Sequence, residues 1–510
     1  MKGKIKVLSL LLAVAMVSSM FVACTDKKDP ANTDSSKPAD STVETSSVEA
    51  PKDPVKLIWY HWGETPKKPD AVITALNKMS MEDIKTEIDF RFTTGDDQKL
   101  KTLLSTGGEF DIAFTCNWFA NYVLTAQGGQ LADITEKVKT VTPKLYEYIP
   151  EPLWEGSKVN GKIYAVPTYK DTGGCHYWRA NKEYVIDGAK AEAEFKATND
   201  KLSSMTPLLE KIKAYADAGN PYPNNCKAAF NFNWAGLPGY NAGWDTISLD
   251  NLRLGVKIET GDTKVLPMWS DAEMLENFKT LKIWHDKGLS NPDAITTEKE
   301  PEFIVVTSTI GWDGAQVIWQ KGKPYKEVVN KRYGPVFTNA SSQGSMNGLS
   351  PNSQNIDRAL QYLEYANTDK EYRNALGYGI KDVNWKLNDK GTVETLTGDE
   401  WSPGMFSQAS FFELYPLDPA PADMYENLKA ENKTAKVSTM LGFVPNIEPV
   451  KNEAAACDSI IQKYYKTLQT GNCKDVDATA AKAMKELTSA GYDKIIAELQ
   501  KQVDAFVAAK

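Results

Sequence analysis

Apolar and polar positions change period several times along the chain, and each change marks an element. Residues 55–63 (Val-Lys-Leu-Ile-Trp-Tyr-His-Trp-Gly) form a nearly continuous apolar run closed by Gly63 and Pro66, which predicts a strand ending in a loop. Val72, Leu76 and Met79 fall at helical spacing and predict a short helix over 72–81. Residues 86–92 alternate as a second strand, 98–104 read as a second helix, and 110–114 as a third strand. Strand, helix, strand, helix, strand predicts a mostly parallel sheet with helices on both faces. In such sheets the binding groups sit past the carboxyl ends of the strands.

Beyond this point the pattern is less regular. A helix is expected over 121–126, and 131–135 leads into another. Residues 161–167 predict a strand stopped by Pro167, and 178–185 a strand followed by a turn. Residues 206–219 form a helix pattern with Pro207 in the first turn, and 270–288 another, opened by Ser270 and Glu273 at capping-box spacing. A strand over 303–307 runs into Gly311-Trp312-Asp313-Gly314, and 333–345 is a connection punctuated by glycine and serine. Helices are expected at 357–367 and 370–376, and the C-terminus is helical over 454–468, 477–489 and 492–509. There is no internal repeat.

The first 24 residues follow a different logic. Lys2, Lys4 and Lys6 precede an apolar run, 7–17, and small residues lead to Phe21-Val22-Ala23-Cys24. This is a secretory signal segment, too short and too soon broken by serines for a permanent span. Its end resembles a bacterial lipobox, which implies cleavage before Cys24 and a lipid on that cysteine. The alternative is a plain signal peptide cut near Ala23. Residues 25–53 are polar, charged and proline-containing, with too little apolar surface to offset their ordering entropy, so 24–53 is expected to be a disordered tether. The implied location is the outer face of a cytoplasmic membrane.

Removing the leader takes away three lysines and no acid, moving the formal net charge from −8 to −11. That argues against nucleic acid as a partner and against a basic membrane-binding face. The remaining chain exceeds what one core usually holds, and two lobes are expected. Five cysteines remain besides Cys24, an odd and scattered set that is no disulfide scaffold: Cys116, Cys175, Cys226, Cys457 and Cys473. Cys457 and Cys473 bracket a helix whose ends stand about 15 Å or more apart, so free thiols are expected.

Several motifs together carry a family resemblance. They are Tyr164-Ala165-Val166-Pro167, the block Arg358 to Leu363 with Asn367-Thr368-Asp369-Lys370-Glu371 and Tyr378-Gly379-Ile380, then Gly442-Phe443, Pro449-Val450-Lys451, Ala490-Gly491-Tyr492-Asp493 and Glu498 to Gln502. In this order, with the lipobox, the chain resembles the extracellular solute-binding lipoproteins of bacterial ABC importers, family 1-like, in the branch ending in the domain DUF3502. It departs where relatives often show Gly-Ile-Glu-Gly and this chain has Gly379-Ile380-Lys381-Asp382. The resemblance implies an α/β fold, a two-lobed clamshell like type II periplasmic binding proteins with a helical C-terminus, closing on its ligand by hinge motion. Permease subunits are the implied partner, and the protein is expected to be a monomer. Expected boundaries are 1–23 signal peptide, 24–53 linker, 54–168 first lobe, 169–335 second lobe, 336–425 crossover and return to the first lobe, and 426–510 a helical region packing mainly on the second lobe.

Ligand chemistry is sought in aromatic and planar polar residues, which hold uncharged sugars by their faces and hydroxyls. The chain has 13 Trp, 22 Tyr and 17 Phe, and their placement decides which matter. Trp59, His61 and Trp62 close the first strand and Asn117 and Trp118 the third, so both groups are expected on one rim. Tyr169 and Asp171 follow a strand on the opposite lobe, as do Trp312 and Asp313. Trp234 and Trp244, with Tyr240, sit in a Gly/Asn/Pro-rich loop. Trp59, Trp62 and Trp118 are expected to form the ligand platform, core packing being the alternative for each aromatic. Residues 398–417, with Trp401, Phe406, Phe411, Phe412 and Glu413, read either as an insertion over a cleft mouth or as a return segment buried between lobes. An oligosaccharide is favoured by the aromatic content and by the lack of an arginine cluster for phosphate or carboxylate. A peptide or other small solute is the alternative, and Asp171 with Asp313 would anchor a cationic one. No carboxylate pair is marked, no Gly-x-Ser-x-Gly elbow or phosphate loop occurs, and His61, His176 and His285 are spread too widely for a metal motif. Neither enzymatic activity nor a cofactor or metal is expected. A surface adhesin, the third reading, would predict repeats.

Overall fold

The computed structural model describes residues 53–510 apart from 94–96, 172–173, 233–236, 238, 240, 248–249, 298–301 and 399. The leader, Cys24 and the linker up to residue 52 lie outside the described residues, as do Trp234 and Tyr240. In chain order the elements that frame the site are β1 (Val55–His61), α1 (Pro69–Ile84), β2 (Thr86–Phe92), α2 (Asp97–Thr106), β3 (Ile112–Thr115), β4 (Ala165–Pro167), β5 (His176–Asn181), α3 (Ala272–Asp286), β6 (Val306–Ile310), α4 (Gln316–Trp319), β7 (Glu327–Tyr333) and β8 (Met346–Leu349). They are followed by α5 (Ile356–Thr368), α6 (Lys370–Tyr378), α7 (Lys451–Gln469), α8 (Val476–Ser489) and α9 (Tyr492–Ala508).

The first sheet has the order β2-β1-β3-β8-β4. Strands β1, β2 and β3 are mutually parallel as their alternation with helices requires, whereas β8 runs antiparallel to both β3 and β4. The reversal follows from where the chain re-enters: β3 and β4 leave the sheet at one rim, and β8 begins at that rim because Met346 pairs with Thr115 and Pro167. Helix α1 buries Val72, Leu76 and Ser80. It ends on Lys85 in the left-handed conformation, while the Ser80 hydroxyl donates to the Thr86 carbonyl at 2.6 Å and so ties the helix end to β2.

The second sheet, β6-β5-β7, is antiparallel, and His176 pairs with both Ile310 and Tyr333 at one end. The strand expected at 303–307 starts at Val306. Ile304 and Val305 are buried, but their backbone N–H groups go to the Tyr325 hydroxyl and the Asn231 side chain, so apolarity there marks burial and not pairing. Helix α3 is capped by Asp271, not Ser270: its carboxylate accepts from the N–H groups of Glu273 and Met274. The core around this sheet is built jointly by α3 (Phe278, Leu281, Trp284) and the C-terminal helices (Cys457, Ile461, Leu468, Ile495, Leu499). All five described cysteines are free thiols. No helix among the described residues is long and apolar enough to cross a membrane.

Residues 401–412 lie against the end of the first sheet. Ser407 donates to the Trp62 carbonyl at 2.6 Å and stands 3.2 Å from His61 Nε2. Asn347 on β8 donates to the carbonyls of Ser407 and Gln408 at 3.2 and 3.0 Å. Arg373 on α6, fully buried, donates to the carbonyls of Ser410 (2.6 Å), Met405 (3.2 Å) and Ala409 (3.3 Å) and to Gln408 Oε1 (3.1 Å). Burial lowers its pKa to about 10. A buried guanidinium without a carboxylate among those partners is tolerable because carbonyl oxygens replace its hydration.

Candidate functional site

The ends of the two sheets meet across a cleft of 850 Å³. The first sheet supplies the residues just past β3 (Asn117, Trp118) and those just before β8 (Ala340, Gly344), and the second supplies the paired end residues His176, Ile310 and Tyr333. Trp244, on the short strand Trp244–Asp245, forms a further wall, and α7 contributes Gln462, Tyr465 and Gln469.

Trp118 is the most exposed aromatic of this rim, 55 % accessible, yet it is oriented: its indole N–H donates to the Gly344 carbonyl at 2.8 Å and its ring meets Trp62 edge to face at 5.4 Å. Asn117 donates to the Ala340 carbonyl at 2.9 Å, fixing the same turn. Trp244 is buried beneath the Lys257 ammonium, 5.2 Å from its ring centre. The Arg253 guanidinium lies 4.5 Å over the Tyr465 ring, which joins α7 to the loop that carries the cleft wall. His176 is half-buried at the end of β5, and desolvation together with the nearby Arg332 lowers its pKa to about 3, so it is a neutral group in the cleft wall. Gly239, at φ +70°, lies against it; a Cβ there would sit 2.3 Å from Nδ1, so both conformation and space demand glycine.

A second hollow of 390 Å³ adjoins the cleft and shares Lys170, Asp171, Ile310 and Phe406 with it. Asp171 is ion-paired with Lys170, and both side chains are largely buried. Its charge is thus answered within the protein. Asp313 is exposed and lines neither hollow, so the two aspartates do not form a joint anchor for a cation.

The candidates therefore separate. Asn117, Trp118, Asp171 and Trp244 converge on the main cleft, and Trp312 with Asp171 on the second hollow. Trp62 is half-buried behind Trp118. Trp59 is 0 % exposed and belongs to the sheet core: β1 continues two residues past it, its backbone pairs with Phe90 and Ile112, and its indole donates to Asn347 Oδ1 at 3.0 Å. His61 is buried beside Trp59 and Phe92, with a pKa lowered to about 3 by burial and then by Arg373. Tyr169 is buried between Tyr148 and Phe412, at ring-centre distances of 5.9 and 4.3 Å. Segment 401–412 lies over these three residues and so moves them from the rim to the interior. Trp234 lies outside the described residues.

Tyr333, Arg253, Tyr465 and Gln469 line the cleft without having been singled out from the sequence. For α7 the signal was present: Gln462, Tyr465 and Gln469 form a polar and aromatic stripe at i, i+3 and i+7 beside the core stripe of Cys457, Ile461 and Leu468. Among the described residues no cluster of His, Cys, Asp and Glu is arranged to hold a metal ion.

Two sheets offering their ends to one interlobe cleft are the architecture of a solute-binding clamshell. Residues 439–508, which include all of α7, α8 and α9, match the domain of unknown function DUF3502. A carbohydrate ABC transporter substrate-binding protein of Streptococcus pneumoniae is 27 % identical over 465 residues, covering 88 % of this chain and 90 % of its own. Among solved structures, the N-glycan transport solute binding protein of S. pneumoniae superposes with a TM-score of 0.78 at 24 % identity, covering 89 % of this chain and 99 % of that one. Its complex with Man5GlcNAc gives 0.72 at 25 % identity, with the same coverage. The S. pneumoniae substrate binding protein FusA with kestose gives 0.58 at 15 % identity, covering 89 % and 100 %. The chain is homologous to the extracellular solute-binding proteins of bacterial ABC importers and has their two-lobed α/β fold.

Proposed function

We propose that this protein captures an oligosaccharide in the 850 Å³ cleft and delivers it to the permease subunits of an ABC importer, while a lipid on Cys24 holds it to the outer face of the membrane. One observation carries the ligand class. The cleft joins the exposed indole of Trp118, with the largely buried Trp244 in its wall, to neutral hydrogen-bonding groups, Asn117, His176, Tyr333 and Gln469, while the Lys170 and Asp171 charges at its edge answer each other. That combination suits hydroxyl-rich rings with apolar faces, and a further charge of the lining, the Arg253 guanidinium, lies over the Tyr465 ring. The names of the relatives point the same way, since they include N-glycan transport and a kestose complex.

The test is a thermal-shift and titration panel on residues 54–510 with Man1GlcNAc, Man5GlcNAc, kestose, fructo-nystose and a set of oligopeptides. A cognate sugar at about 100 times its Kd stabilises the folded state by about 2.7 kcal/mol. A midpoint raised by a peptide and by none of the sugars overturns the reading. For the anchor, the mature chain should begin at Cys24 with added acyl mass, and Cys24→Ala should release it from the membrane fraction; an unacylated Cys24 refutes that part.

A further inference from the structure

The smaller hollow is lined in part by aromatic rings, among them Trp312, Trp319, Tyr378, Trp401 and Phe411. Trp312 and Trp401 are buried and serve the protein's own packing, but Trp319, the last residue of α4, is only half-buried. It is nonetheless fixed from two directions. The six-membered part of its ring lies over Gly311, where an added Cβ would stand 2.5 Å from two ring carbons. The Arg179 guanidinium lies 4.5 Å from the ring and is itself held by Glu327, at 2.8 and 3.0 Å, in a pair that is almost wholly buried. A glycine that admits the ring and a buried ion pair that backs it make a rigid aromatic surface, one that gives up little freedom when something stacks on it.

The passage between hollow and cleft is also unusual. Ile310 is 53 % exposed although it is apolar and ends the strand β6, and it stands with Phe406, Lys170 and Asp171 at the junction shared by both spaces. A chain of sugar rings running from the cleft into the hollow would cover this bare apolar surface.

We propose that the hollow is a second sugar chamber, in which one uncharged ring of the bound oligosaccharide stacks on Trp319 while the rest of the chain lies in the main cleft. This rests on the oligosaccharide reading and deepens it, because it makes ligand length a determinant of affinity. A ligand that fills only the cleft gains nothing from Trp319, and one that crosses the junction gains an indole contact. The lining of the hollow also carries Lys170, Asp171 and Lys321, and its neutral polar side chains, among them Asn384, Thr395, Thr397 and Ser402, suit the hydroxyls of such a ring.

The experiment is isothermal titration of wild type, Trp319→Ala, Trp319→Tyr and Thr395→Trp with a short and a long member of two series, Man1GlcNAc against Man5GlcNAc and kestose against fructo-nystose. Thr395 also lines the hollow, so Thr395→Trp fills the space without altering Trp319 and the proposal stays testable if the alanine variant fails to fold. In the series that binds, W319A should weaken the longer ligand about tenfold or more while leaving the shorter within about twofold. W319Y should keep most of the affinity, and T395W should behave like W319A. Equal affinity of wild type and T395W for the longer ligand overturns the chamber while leaving the cleft reading intact, and so does an equal loss for both lengths. Absence of binding by wild type to every sugar overturns both.

Discussion

Replacing Trp118 by alanine separates a ligand platform from a structural tryptophan. At 55 % exposure the indole already faces solvent on one side, so its removal leaves an open notch and not a closed cavity. The folding cost should therefore fall well below the ~3–5 kcal/mol of a core Trp→Ala change. What is lost is the contact with ligand. Stacking one indole face on a sugar ring removes roughly 50–100 Å² of apolar surface from water, about 1–2.5 kcal/mol at ~25 cal/mol per Å², or about 5- to 70-fold in Kd. Trp118→Phe keeps a face but loses the 2.8 Å bond to Gly344 that aims it, and should lie between. Trp59→Ala is the control: it empties a fully buried site and severs the bond to Asn347, so it should cost ~3–5 kcal/mol of stability. Titration with the tightest glycan and urea unfolding on the same variants give both numbers. An unchanged Kd in W118A refutes the platform, and a stability loss as large as that of W59A assigns Trp118 to the core.

Three further outcomes are expected. Arg373→Met leaves four buried oxygens short of a donor and should lower stability by at least ~3 kcal/mol in urea unfolding, and because Met405 and Phe406 ride on the stapled segment it should also weaken binding of long ligands. Stability should fall as pH drops below about 6.5, since folded His61 and His176, both at about 3, stay neutral where the unfolded chain binds protons; Asp245, raised to about 6 by burial, acts oppositely, its contribution being lost as pH rises through 6. These three groups leave a net slope near pH 5 of about one proton, ~1.4 kcal/mol per pH unit, which Asp245→Asn should double while stabilising the protein above pH 7. Saturating ligand should reduce the radius of gyration of residues 54–510 in solution scattering; an unchanged value counts against closure.

The early elements were legible because local pattern and tertiary context agree there. Residues 55–61, 86–92 and 112–115 carry enough consecutive or alternating apolar side chains to be strands in any surroundings, and their parallel order puts Trp62 and Trp118 in ring contact. The same logic failed just before Trp62, at Trp59 and His61. Whether the end of a strand is rim or interior depends on what covers it, and the cover is Gly404 to Gln408, more than 300 positions away in the chain. No period within β1 records that. Tyr169 fails for the same reason, since Phe412 comes from the same segment. The cap of α3 was misplaced by one residue because Ser270 and Glu273 match the capping-box spacing, whereas the Asp271 carboxylate reaches two backbone donors at once.

Charge was the least informative property about the ligand, and the structure explains why. The acidic excess lies mainly on solvated side chains, many of them in exposed pairs such as Lys213 with Asp217 or Lys196 with Glu192, which contribute little to stability and nothing to the cleft. At the cleft itself Lys170 and Asp171 neutralise one another and Arg253 lies over an aromatic ring. A net charge of −8 for the whole chain therefore coexists with a nearly neutral binding surface. Selection must then come from shape and from the spacing of aromatic faces. Trp118 and Trp244 lie in the cleft and Trp319 lies beyond the Ile310 junction, in spaces that share four residues. A ligand that touches all three surfaces has to bridge both spaces, so affinity should rise stepwise with chain length and not with charge.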